Sequence, residues 1–214
     1  MPSPSARPTD AASRRYRSPR RAQQAEQTRA EIVAAATRLF TLNGWASTGM
    51  RDVAREAGVA TETVYAHFSS KTGLFLRAME VAVVGDDAPV ALAGRREFAA
   101  LGQGSRADRI AAAALLLTEV NQRTSGFAKV LREAAPTDPV IAEMLRATRE
   151  RIRVDIAAGA AAVIGRKPSR LERDALWALL SPEVYLLLVE ESSWSIKQYR
   201  AWVAQMLERE IPSS

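Results

Sequence analysis

The chain has 214 residues, 47% of them hydrophobic but only 6% aromatic, with a formal net charge of +6 and no cysteine. That length supports one or two domains with a sizeable core, and the lack of thiols excludes a disulfide framework, a thiolate nucleophile and a cysteine metal site. No apolar run approaches the ~18 residues of a membrane helix, and the start MPSPSARPTDAASRRYRSPRR lacks the apolar core of a secretory signal, so a cytoplasmic location is expected. Abundant alanine and few β-branched runs predict an all-α fold.

Residues 1–25 mix Pro, Ser, Ala and Arg without periodicity and read as a disordered basic leader. Six arginines (Arg7, Arg14, Arg15, Arg17, Arg20 and Arg21) against Asp10 give this stretch +5, whereas residues 26–80 are neutral and 81–214 carry +1. The leader reads either as an arm that follows a nucleic-acid backbone or as a solvated tail. A first helix is expected from about Thr28 to Asn43, with Ile32, Ala36, Leu39 and Phe40 as its apolar stripe. After residues 48–68, a fourth helix should end near Gly85. A loop or short helix should follow. Ser105 and Asp108 then open a helix to about residue 124, Gly126–Ala134 reads as a short separate one, and Pro139–Gly165 as a long one. Two last helices are expected, Ser169–Glu190 and Ser195–Glu210.

The stretch that carries chemistry is TGMRDVAREAGVATETVYAHF, residues 48–68. Val53, Ala54 and Ala57 recur at helical spacing, and Gly58 supplies the left-handed residue that ends the segment. Thr61 is placed to cap a second short helix whose buried side is Val64 and Phe68. Thr61, Glu62, Thr63, Tyr65, Ala66 and His67 are left on the other faces, small polar groups first and a tyrosine one turn on. Such a surface suits a DNA major groove. Helical corners of this kind also occur as plain structural hairpins.

The flanks add to the pattern. IVAAATRLFTLNGWAST, MRDVAREAGVATETVYAHF and SSKTGLFLRAME together make residues 27–80 resemble the N-terminal DNA-binding domain of the TetR family of transcriptional regulators. The resemblance implies an N-terminal three-helix helix-turn-helix domain (26–80) joined by its fourth helix to a C-terminal helical domain (81–214). It places Thr61, Glu62 and Thr63 nearest the bases, and Tyr65, His67 and Lys71 on phosphates or sugars. Gly49 stands where many relatives carry Ser or Thr, so one hydroxyl contact to phosphate is missing unless Thr48 supplies it; Asp52 suits the positive end of that helix. Glu62 either accepts from cytosine N4 or only completes the first helical turn. His67 is the one histidine of the chain, so no second His and no Cys can share a metal with it, and its place inside this motif leaves a Ser-His-Asp triad without support. No cofactor and no enzymatic activity are expected.

By the same resemblance the second domain would hold a small-molecule effector and form a homodimer through its last two helices. Phe127, Met144, Trp177 and Tyr185 are the bulky side chains offered as pocket lining, or as plain core. Leu179, Leu186, Trp202 and Met206 are offered as dimer contacts, or as completion of the protomer's own interior. The region is rich in Ala and Leu, so the unknown effector should be apolar or aromatic. The leading expectation is therefore a ligand-responsive dimeric repressor on a palindromic double-stranded operator. An effector-independent or architectural DNA-binding regulator is the alternative.

Overall fold

The computed structural model describes residues 19–86, 88 and 90–211, and the described residues form helices and connecting turns without a strand. Helix α1 runs from Pro19 to Asn43, nine residues earlier than the sequence reading placed it. The added turns (PRRAQQAEQ) are good helix formers opened by proline at the first helical position. They extend a helix already nucleated by its buried segment, and extension needs no packed face of its own. The rest of the basic leader, residues 1–18, lies outside the described residues.

Helix α2 spans Met50–Ala57 and α3 Thr61–His67. Between them Gly58 adopts φ 68°, where a side chain would be strained. The cap of α3 is Ala60 rather than Thr61, which is the first residue inside the helix. Helix α4, Lys71–Val84, is capped by the Ser70 hydroxyl and ends at Gly85, as expected. The connection that follows is a string of short turns, two 3-10 segments around α5, Arg96–Ala99.

Two expectations about the second half fail, each for a local reason. Residues 106–134 form one helix, α6, with no break before Gly126. Helix α7 follows at Pro139–Ile164, capped by the Asp138 carboxylate. The helix expected over Ser169–Glu190 is instead interrupted: α8 covers Arg170–Leu179 and α9 only Pro182–Tyr185, running on as a π-helical turn, Leu186–Glu191. Pro182 has no N–H for the preceding turn and starts a new helix under the Ser181 hydroxyl. The Leu180 carbonyl accepts instead from Asn121 Nδ2 at 3.1 Å. Helix α10, Ile196–Glu210, closes the described fold.

Helix α6 is the spine, packing on α1 and α4 at one end and on α7, α9 and α10 along its length. It takes part in both apolar cores. The first combines Ile32, Phe40, Val53, Val64, Leu74 and Phe75 of α1–α4 with Phe127, Val130 and Leu131 of α6 and Ile141 and Met144 of α7. The second joins Leu101, Ile110, Ile156, Leu176, Tyr185, Tyr199 and Val203. The boundary between cores therefore crosses α6 and α7 and does not follow the chain division at residue 80.

Candidate nucleic-acid interface

The corner of α2 and α3 is fixed from inside. Val53, Ala54, Val64 and Phe68 are buried, and two buried side chains suffice to orient a helix as short as α3. Its outward surface is that read from the sequence: Glu62, Tyr65 and Ala66 are exposed, and Thr61, Thr63 and His67 are partly so. Tyr65 is 54% exposed, which leaves a large aromatic hydroxyl facing solvent with no packing reason to be there.

At the start of α2, Gly49 donates its backbone N–H to Asp52 Oδ2 at 2.9 Å. Asp52 also accepts from Arg55 at 2.7 Å. The Gly49 amide, then the Arg55 guanidinium, hold its carboxyl below the usual range. Arg51, one turn from Arg55 on α2, is exposed too, and Arg29 lies over the Phe68 ring at 5.2 Å. These arginines do not stand out in the sequence because residues 26–80 are neutral as a whole; Arg51 and Arg55 share α2, and Arg29 lies on α1.

Two sequence expectations are corrected here. Thr48 is only 1% exposed, and its hydroxyl donates to the Leu39 carbonyl at 3.1 Å, so it cannot stand in for the hydroxyl that Gly49 lacks. Lys71 is turned inward in the free chain. Its ammonium donates to the Trp45 carbonyl and sits 4.1 Å from the centre of the Trp45 ring. Burial lowers its pKa, partly offset by the charges of Asp138 and Asp52.

Trp45, just past the end of α1, is a hub. Its ring stacks on Phe40 at 5.8 Å and meets Phe75 edge-on at 5.5 Å. Phe75 in turn contacts Phe127 of α6 at 5.3 Å. The indole Nε1 donates to Asp138 Oδ2 at 3.0 Å. Farther along α4, Arg123 of α6 donates from Nε to the Ala82 carbonyl at 2.8 Å and from Nη2 to Val83 at 3.1 Å. The reading head is thus tied to α6 and to the start of α7 near both ends of α4.

The proposed pocket residues do not come together. Phe127 and Met144 belong to the first core, while Tyr185 belongs to the second and Trp177 packs on it under the Arg153 guanidinium. Of the proposed dimer contacts, Leu186 is buried within the protomer, whereas Leu179, Trp202 and Met206 are partly exposed. In the described residues from 170 onward, Leu171 on α8 (80% exposed) and Leu187 are the large apolar groups left outside. Among the described residues no cluster of acidic and histidine side chains could hold a metal ion. None of the helices there is long and apolar enough to cross a membrane.

Fold and corner together define an all-helical protein with a helix-turn-helix head built onto a longer helical body. Residues 32–78 match the N-terminal domain of the bacterial regulatory proteins of the tetR family. That match identifies the N-terminal segment as a helix-turn-helix domain of the TetR type. The chain is 39% identical over 59 residues to the HTH-type transcriptional regulator AcrR of Shigella flexneri, a match covering 28% of this chain and 27% of that protein. The likeness to this curated relative therefore spans about a quarter of its length. A putative TetR-family regulator from Rhodococcus sp. superposes with a TM-score of 0.63 at 21% identity, covering 87% of this chain and all of that one. A TetR-family member from Streptomyces coelicolor does so at 0.58 and 22%, covering 87% and 99%. At these identities the solved structures speak for the fold.

Proposed function

We propose that the protein is a dimeric, ligand-responsive repressor that reads a palindromic operator through α3. The observation that carries the reading is the outward face of α3, where Tyr65 stands exposed among Thr61, Glu62, Thr63 and His67 on a helix pinned by Val64 and Phe68. Polar side chains on a short rigid helix match what direct readout in a major groove needs. Arg51 and Arg55 on α2 supply backbone positioning, and the leader arginines add sequence-independent affinity. Glu62 serves chiefly the positive end of α3.

A second copy is needed because two recognition helices must enter grooves about 34–36 Å apart. Leu171, Leu179, Trp202 and Met206 on α8 and α10 form the proposed twofold contact. The effector enters the second core, whose buried hydrophobic members are aliphatic apart from Tyr185 and Tyr199, so it is apolar or aromatic with few charges. Effector binding would act on α4, releasing DNA.

The test is selection from random duplex DNA at about 150 mM salt, comparing the native chain with Tyr65→Ala. Recovery of a twofold-symmetric sequence, bound tightly by the native chain and poorly by the variant, supports the reading. Binding indifferent to sequence and to the substitution overturns it. A melting-temperature screen over small molecules separates the repressor from an effector-independent regulator, because a tight ligand raises stability by mass action.

A further inference from the structure

We propose that the bond between the Trp45 indole and the Asp138 carboxylate is a joint through which the start of α7 sets the orientation of the helix-turn-helix, making Asp138 a positioning residue for DNA binding. The proposal rests on the reading of α3 given above. Asp138 has two duties on its two oxygens. Oδ1 accepts from the amides of Val140 at 2.9 Å and Ile141 at 3.3 Å, capping α7. Oδ2 accepts from Trp45 Nε1 at 3.0 Å. The carboxylate is a rigid plane, so a displacement of the first turn of α7 displaces the indole.

The indole passes that displacement on. Lys71 binds the Trp45 carbonyl and covers the ring, and Lys71 is the first residue of α4, separated from the end of α3 only by Phe68, Ser69 and Ser70. The recognition helix therefore hangs from the same residue that Asp138 holds. Burial pushes the Asp138 carboxyl up, but the Ile141 amide, the indole, the Val140 amide and the Lys71 charge more than offset it and bring the pKa below its usual value. Ionised, it accepts both sets of bonds at once.

The setting distinguishes a joint from ordinary core packing. A recess of about 480 Å³, open to solvent, lies between the two turns. Asn43, Gly44 and Ala46 form one wall and Val130, Glu133 and Thr137 the other. The bond spans the edge of this gap, so the turns can separate there without creating a void in either core. It gives the second domain a route to the reading head distinct from the Arg123 contact at the far end of α4.

The experiment uses the full chain and variants that divide Asp138's two duties. Asp138→Ser keeps a helix cap but is too short to reach the indole; Asp138→Asn also keeps the cap but sets an amide donor against the indole N–H; Trp45→Phe keeps the stacking and removes the bond. Discrimination between a selected duplex and a scrambled one is measured together with the melting temperature. Asp138→Ser, Asp138→Asn and Trp45→Phe are each expected to lower discrimination about tenfold, and the Asp138→Ser/Trp45→Phe double variant no further. Independent effects that multiply, or native discrimination in Asp138→Ser, would overturn the joint. If the native chain shows no selective binding, the DNA reading has failed separately, and amide exchange of the free chain decides the joint. Lost protection over residues 48–68 in Asp138→Ser and in Trp45→Phe, relative to the native chain, supports it; native protection in both refutes it.

Discussion

Gly126 meets Thr41 where α6 crosses α1, so closely that a methyl group added at Gly126 would lie 2.8 Å from Thr41 Cγ2 and 3.1 Å from its Cβ. Gly126→Ala is therefore expected to destabilise the fold by about 1–3 kcal/mol through overpacking, although alanine is the better helix former. Thr41→Ser removes the offending methyl and keeps the hydroxyl bond to the Thr37 carbonyl. The double variant should recover most of the loss. Urea unfolding of the four chains checks this, and a double variant no better than Gly126→Ala would contradict it.

Asn121 is buried on α6 and donates to the Leu180 carbonyl at 3.1 Å and to the Tyr199 hydroxyl at 2.9 Å. It answers for the carbonyl left over by the break before Pro182. Asn121→Ala should cost about 1–3 kcal/mol for the unsatisfied polar groups it leaves, and Tyr199→Phe less, since the Leu180 bond survives. Thermal unfolding of both variants measures the difference.

Arg95 and the Ala88 amide hold the Asp86 carboxyl down to about 2 from an ordinary 3.8, and Arg166 with Ser169 holds Glu172 at about 2 from 4.5. Both groups are depressed on folding, so the stability they contribute is full above their ordinary values. It is lost as the pH falls through about 2. Solvent screens both pairs, so the effect is modest. The urea midpoint of Asp86→Asn/Glu172→Gln should fall less between pH 5 and pH 2 than that of the native chain; parallel curves would count against the assignment.

The four arginines of residues 1–18 provide a further test of the DNA reading. Removing residues 1–18 should flatten the log–log dependence of duplex affinity on salt by about 3–4 if all four meet phosphates. Fluorescence anisotropy at several salt concentrations reads the slope, and an unchanged slope would assign the leader no role at the backbone.

What was legible in the sequence was local. Gly58 at a positive φ, the buried pair Val64 and Phe68, Ser105 with Asp108 at the start of α6 and Pro139 at the start of α7 all act within one helical turn, and each is where the pattern placed it. What was misread depends on partners distant in the chain. Gly126 looked like a breaker because nothing near it shows the close approach to Thr41. Thr48 and Lys71 were taken for outward-facing groups because their acceptors, the Leu39 and Trp45 carbonyls, belong to other segments. The interruption at Pro182 was hidden in an apolar run whose periodicity continues across it.

The sharing of the first core has a consequence for anyone recombining this protein. Phe127, Val130, Leu131, Ile141 and Met144 complete the interior of α1–α4. A fragment cut at residue 80 would expose the apolar side of Leu74, Phe75 and Ala78 and lose the Trp45–Asp138 bond. A chimaera meant to place this reading head on a foreign sensor must carry the hairpin around Pro136 with it. The transplantable part is discontinuous: it consists of the N-terminal helices together with the remote α6–α7 turn.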